Sequence, residues 1–201
     1  MEMPANISYP KNLLPYGGEV NYFPEIFSPQ KADELFLDLE KTIFWKQEPI
    51  RLFGKTLMQP RLTALYGNPE KEYGYSGITM KPEPWTHPLL EIRETIARYS
   101  GEIFTHVLCN LYRDGQDSMG WHRDNEAVLG QNPCIASVTF GAPRIFQLRN
   151  YSTKKDKIDL LLEHGSLLIM KGESQHFWEH QLPKTKKIST PRINLTFRRL
   201  I

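Results

Sequence analysis

The chain reads as an α+β domain in which two amphipathic helices precede a double-sheet barrel. Apolar residues recur at helical spacing twice in the first half, and short β-branched or aromatic runs fill the second half. Gly, Pro, Asn and charged clusters separate those runs, as turns between strands require. At 201 residues, 40% hydrophobic and 24% charged, the chain can bury one sizeable core without reaching the length that usually splits into domains.

Residues 1–20 form an N-terminal arm of prolines and scattered polar residues with no usable motif and no apolar secretion block. A single domain is expected over 21–201. Ser28-Pro29 sets a capping side chain and a first-turn proline ahead of Ala32, Leu35, Phe36, Leu39 and Ile43, which predicts a helix running toward Pro49. Residues 48–85 mix Gly, Pro, Tyr and charge with only brief extended runs, and are expected to form hairpins and loops over the surface. A second helix begins near Pro88, carries Leu89, Ile92, Ile96 and Tyr99 on one side, and stops at Ser100-Gly101, where glycine takes the left-handed cap. The core over 103–201 follows, with strands predicted at 103–112, 135–140, 145–149, 158–163, 166–170 and 192–197.

A formal charge of +2 permits nucleic acid binding without arguing for it, so any basic surface has to be local. Cys109 and Cys134 sit in apolar runs without CxxC spacing, which suits buried thiols in a reducing compartment. With no stretch of about 18 apolar residues, an intracellular chain without a membrane partner is expected, in the cytoplasm or, in a eukaryote, the nucleus.

Chemistry concentrates in the second half. His122 and Asp124 stand two apart in Met119-Gly-Trp-His-Arg-Asp-Asn-Glu126, and His180 follows in Trp178-Glu-His-Gln-Leu-Pro183. On extended chain an i, i+2 pair points the same way, and a distant histidine closes a two-His, one-carboxylate iron site with open positions. Those positions suit a bidentate 2-oxo acid and dioxygen, whereas a structural zinc site would fill all four with Cys and His. An H-x-D pair alone arises often by chance, and His176 rivals His180; His87, His106 and His164 read as structural or surface residues. The last strand adds weight. Ile193, Leu195 and Phe197 face one way, and Arg192, Asn194, Thr196 and Arg198 the other, where buried guanidinium groups call for an anionic partner such as a small dicarboxylate. Asn110 and Tyr112 share one face of an earlier strand and complete a carboxylate pocket.

Asn110-Leu-Tyr112, Trp121-His-Arg-Asp-Asn-Glu126, Ile135-Ala-Ser-Val-Thr-Phe-Gly141, His164-Gly-Ser-Leu-Leu-Ile-Met170 and Pro191-Arg-Ile-Asn-Leu-Thr-Phe-Arg198 together resemble the AlkB family of Fe(II)/2-oxoglutarate dioxygenases, in the branch that repairs alkylated DNA. The likeness is strong from about Phe53 to the C-terminus. It implies a double-stranded β-helix (jelly-roll) core with the N-terminal helices on its major sheet. It also implies His122, Asp124 and His180 on iron, and Arg192 and Arg198 on the two carboxylates of 2-oxoglutarate, helped by Asn110, Tyr112 and Thr196. The implied reaction consumes 2-oxoglutarate and dioxygen, yields succinate, and releases the methyl carbon of a damaged base as formaldehyde.

By the same resemblance, 48–85 holds the nucleotide-recognition hairpins and lid. Leu52-Phe-Gly-Lys55 matches the hairpin that probes a duplex, which nominates Phe53, Gly54 and Lys55. Tyr73-Gly-Tyr-Ser-Gly77 matches the lid over the flipped base, which nominates Tyr73 and Tyr75 with Trp121 as stacking partners for cationic 1-methyladenine or 3-methylcytosine. Close relatives place a second acid after the iron aspartate. This chain has Asn125 and then Glu126: an amide still bonds a base but gives up the full charge, so the preference for cationic lesions is either shared with Glu126 or weakened. Lys184, Lys186, Lys187, Arg199, Arg144, Arg149, Lys154, Lys155 and Lys157 are candidate phosphate contacts. The expected partner of a monomeric enzyme is alkylated DNA, with RNA not separated from it. Two other readings stay open: a 2-oxoglutarate-dependent hydroxylase of a protein or metabolite, and an inactive barrel that binds damaged nucleic acid.

Overall fold

Period-two alternation sorts the strand side chains between two cores, and the layers of the molecule follow from that sorting. The computed structural model describes residues 9–52, 55–70, 73–75 and 78–201, with backbone pairing alone for 50–52, 55–56, 73–75 and 78–80. In chain order, the first half holds β1 (Glu19–Phe23), α1 (Pro29–Thr42), β2 (Pro49–Leu52), β3 (Lys55–Met58), β4 (Leu62–Gly67), β5 (Tyr73–Tyr75), β6 (Ile78–Met80) and α2 (His87–Ser100). The second half holds β7 (His106–Tyr112), β8 (Met119–His122), β9 (Ile135–Gly141), β10 (Arg144–Asn150) and β11 (Ile158–Leu162). It closes with β12 (Ser166–Lys171), the one-turn α3 (Ser174–Phe177), β13 (Trp178–Leu182) and β14 (Arg192–Arg198).

A six-stranded sheet in the order β1-β12-β9-β14-β7-β4 faces a four-stranded sheet in the order β11-β10-β13-β8, and neighbours within each pair antiparallel. This is the expected jelly roll. One face of the larger sheet contributes Val107, Cys109, Ala136, Val138, Phe140, Ile193, Leu195 and Phe197 to a core shared with Leu35 and Leu39 of α1 and Leu89, Ile92 and Ile96 of α2. Its other face joins the smaller sheet through Leu65, Leu108, Leu168, Met170, Phe146, Leu148 and Trp178. The functional groups lie in this second layer.

Both helices start and stop for the local reasons read from the sequence. The Ser28 side chain accepts from the Lys31 N–H at 3.3 Å, with Pro29 in the first turn. Gly101 takes φ 72° and closes α2 by donating to Ala97. The first helix, however, ends at Thr42, well short of Pro49, because Lys46 pairs with Thr63 in strand fashion.

Two expectations need correction. The segment 48–85 does contain hairpins, β2 with β3 and β5 with β6, but it also supplies β4, an edge strand of the main sheet. Ala64 and Tyr66 of β4 face the helices and Leu65 faces the barrel, so this stretch is core and not surface cover. The arm of residues 1–20 is likewise built into the barrel from residue 9 onward. Leu14 and Val20 are buried, Trp178 Nε1 donates to the Tyr16 carbonyl at 3.0 Å, and β1 begins at Glu19 against β12. Among the described residues, no helix is long and apolar enough to cross a membrane.

Candidate active site

β8 and β13 run antiparallel at the barrel mouth, with His122 opposite His180 and their ring centroids 4.2 Å apart. Between this pair and the next one, Met119 with Leu182, β8 carries an extra residue. Such a bulge re-aims side chains, and here it turns both Met119 and His122 into the pocket although their spacing breaks the period of two. Asp124 follows the end of β8 and is 1% exposed. One donor atom from each of His122, Asp124 and His180 lies within 4.8 Å of the others, and among the described residues these three form the group able to share an ion.

The charge state of this group is the one a cation requires. Burial alone would raise the Asp124 carboxyl, but the Arg198 guanidinium, 2.9 Å away, and then the two imidazoles hold it down at about 2. Burial, with His122 close by, lowers His180 to about 3, and burial lowers His122 against the pull of Asp124. Two neutral imidazoles and one carboxylate therefore face a common point. His122 Nδ1 lies 2.9 Å from the Gly120 carbonyl, so Nδ1 carries the proton and Nε2 is left as the donor to a metal.

The pocket behind these ligands is lined by Asn110, Tyr112, Ser137, Arg192, Asn194, Thr196 and Arg198, with Leu108, Met119, Phe146, Met170 and Leu182 as its apolar wall. Arg192 is 2% exposed, donates to Thr139 Oγ1 at 2.9 Å, and lies 5.2 Å from the centre of the Tyr112 ring. Burial brings its guanidinium down to about 10, and its buried Nε has no hydrogen-bond partner among the described residues. A buried cation with a donor to spare calls for an anion. Asn194 bonds Ser137 Oγ at 2.8 Å, and Thr196 bonds Asn194 at 3.1 Å, so the amide and hydroxyls between the two arginines are held in fixed orientation. The residues present thus fit both a divalent metal and a dicarboxylate beside it.

A model of the 2OG-Fe(II) oxygenase superfamily matches residues 19–198. The chain is 42% identical to the alpha-ketoglutarate-dependent dioxygenase alkB homolog 3 of Bos taurus over 200 residues, which cover 94% of this chain and 69% of that protein. It is 39% identical to the DNA oxidative demethylase ALKBH2 of Bos taurus over 186 residues, covering 88% and 67% of the two chains. The chain belongs to the AlkB family of the 2OG-Fe(II) oxygenases. Among solved structures, that of OsALKBH1 aligns with a TM-score of 0.64 at 17% identity over 94% of this chain and 100% of that one, a likeness of fold. This AlkB-family protein is a dioxygenase that uses Fe(II), 2-oxoglutarate and dioxygen.

The residues nominated from sequence divide sharply in where the AlkB fold puts them. Asn110, Tyr112, His122, Asp124, His180, Arg192, Asn194, Thr196 and Arg198 converge on one pocket. Trp121 does not line that pocket: it is half-buried on β8, with the Arg149 guanidinium 3.9 Å from the centre of its ring. Asn125 is exposed directly after Asp124, and Glu126 is half-buried at the start of a short turn of helix. Phe53 and Gly54, and the side chains of Lys55, Tyr73 and Tyr75, lie outside the described residues. His176, the rival ligand, bonds Asn132 at 3.0 Å on the exterior.

Several of the basic candidates have other employment. Arg144 is 2% exposed and donates to the carbonyls of Asp114, Asp117 and Pro183, tying two loops together. Arg149 and Lys154 converge on Glu179 at 2.6 and 2.9 Å. Lys155, Lys157, Lys184, Lys186, Lys187 and Arg199 remain exposed. Conversely, sequence reasoning passed over Arg61, 3% exposed, whose Nε donates to Asn110 Oδ1 at 2.7 Å, and Gln175, which bonds the Asp124 backbone. Only the burial of a polar residue could have flagged them, and burial is not written in local pattern.

Proposed function

We propose that the protein oxidatively demethylates N-alkylated bases, 1-methyladenine and 3-methylcytosine, in DNA. The observation that carries the reading is the convergence of His122, Asp124 and His180 on one point with Arg192 and Arg198 in the same pocket. The substrate class follows from the relatives, one of which is named as a DNA oxidative demethylase.

In this reading His122, Asp124 and His180 hold iron, which when bound with 2-oxoglutarate and dioxygen supplies the oxidation of the N-methyl group. Arg192, with Tyr112 and Asn194 beside it, binds one carboxylate of 2-oxoglutarate at the dry end of the pocket. Arg198 and Asn110 serve the other end, near the metal ligands. Leu108, Phe146, Met170 and Leu182 exclude water, which keeps these charge contacts strong. Phe53, Gly54, Lys55, Tyr73 and Tyr75 hold and probe the damaged strand, and Asn125 and Glu126 meet the base. Oxidation leaves a hydroxymethyl group on the ring nitrogen, which departs as formaldehyde and restores the base.

Incubation with Fe(II), 2-oxoglutarate and oligonucleotides bearing either lesion, read by mass spectrometry and formaldehyde release, tests the proposal. Restored base is the expected result, and a matched RNA arm sets the preference between nucleic acids. Decarboxylation of 2-oxoglutarate with no change in any alkylated oligonucleotide would overturn it in favour of a different substrate.

A further inference from the structure

Asp124 lies past the last ladder position of β8, so no strand partner takes its backbone N–H. A side chain from elsewhere in the chain takes it instead: Gln175 Oε1 accepts from Asp124 N at 2.9 Å. Gln175 is 1% exposed, and its Nε2 donates to Ser174 Oγ at 3.3 Å and meets Met170 Sδ at 3.7 Å. The amide is therefore fixed at both ends, with its oxygen toward the ligand segment and its nitrogen turned away.

What holds Gln175 is itself held. The one-turn α3 that carries it is pressed from behind by Gly18, at φ 113°, where a Cβ would run into the Ser174 backbone. From the other side the Arg123 guanidinium lies 3.6 Å from the centre of the Tyr151 ring and reaches the His176 carbonyl at 3.4 Å. Each residue of 122–124 is thus gripped separately: His122 by the Gly120 carbonyl, Arg123 by Tyr151 and α3, and Asp124 by Gln175. The first grip orients an imidazole. The last is the one that sets where the carboxylate leaves the backbone.

We infer that Gln175 is a positioning residue of the metal site, fixing the Asp124 backbone so that its carboxylate meets the two imidazoles at one point. This rests on the reading of His122, Asp124 and His180 as the iron ligands. Arg198 holds the Asp124 carboxylate at 2.9 Å but not its backbone, which has no ladder support, so loss of the Gln175 bond frees the backbone to shift about that anchor. Outer partners of metal ligands typically carry about 10–100-fold in metal affinity.

The test is Mn(II) titration of the full chain, read by the paramagnetic resonance of the free ion, for wild type, Gln175→Leu, Gln175→Glu and Asp124→Ala. Gln175→Leu, which fills most of the space but accepts nothing, is expected to bind Mn(II) about 10–100-fold more weakly. Gln175→Glu keeps an acceptor at the same reach and is expected to recover most of the affinity. A merely structural role would lower the thermal midpoint of both variants and leave Mn(II) affinity unmoved, and that result would overturn the inference. Should Gln175→Leu fail to fold, amide exchange of Asp124 in the wild type decides: protection like that of a ladder amide supports the brace, and exchange at the rate of an open loop sinks it. Retained Mn(II) binding in Asp124→Ala would instead remove the ligand reading. Its loss there, with wild-type affinity in a folded Gln175→Leu, would remove the brace alone.

Discussion

The two faces of β14 are built from alternate residues of one strand and have opposite energetics. Ile193, Leu195 and Phe197 are wholly buried against the helices and favour folding by removing apolar surface from water. Arg192, Asn194, Thr196 and Arg198 are nearly as buried, yet each had to lose its hydration to stand in the pocket. One face stabilises the protein; the other is a cost borne for binding. Substitutions on the two faces should therefore part company in what they damage.

The widest split is expected at the metal end. His122→Ala removes a half-buried neutral ring and leaves the buried Asp124–Arg198 pair intact, so it should lower 2-oxoglutarate turnover by at least about 1,000-fold, ~4 kcal/mol of transition-state stabilisation, while the thermal midpoint stays within a few degrees. A parallel fall in both would merge the two faces and break the comparison. On the apolar face, Phe197→Ala should destabilise by about 3–5 kcal/mol in denaturant unfolding with little change in the 2-oxoglutarate requirement of the folded fraction. Arg192→Ala should do the reverse. Its 2-oxoglutarate KM should rise by the equivalent of about 2–4 kcal/mol, with stability holding or increasing because an incompletely paired buried cation is gone.

The smallest effect lies on the outer surface of the smaller sheet. Burial tends to raise the Glu179 carboxyl, but hydrogen bonds from Lys154 and Arg149 hold it below its ordinary 4.5. A depressed carboxylate contributes stability that is present above the unfolded pKa and lost as pH falls through the folded one. The thermal midpoint of the wild type should therefore drop more steeply on acidification below about pH 4.5 than that of Glu179→Gln.

Much of the site was legible because strands write their geometry in alternation. The β14 pattern, the His122 and Asp124 pair and the strand carrying Asn110 and Tyr112 could all be read without coordinates, and the structure joins them in one pocket. What stayed hidden depends on contacts between distant segments. Nothing near Leu62 distinguishes an edge strand from a surface loop, and the pairing of β4 with β7 decides it. Lys154 and Arg149 look like free cations until Glu179 is brought between them. Trp121 reads as a stacking platform, and its pairing with Arg149, 28 residues on, shows only in the fold. Gln175 has no signature at all, since its bond crosses 51 residues of chain.

The shortness of β8 has a further consequence. It is a terminal strand of four residues, joined to its neighbour by only two register pairs, and one of those pairs is His122 with His180. An ion shared by these imidazoles is also a rivet between the last two staves of the barrel. Occupancy and closure of that seam are then a single linked equilibrium, in which whatever loosens the seam lowers affinity for the ion and the ion in turn tightens the seam.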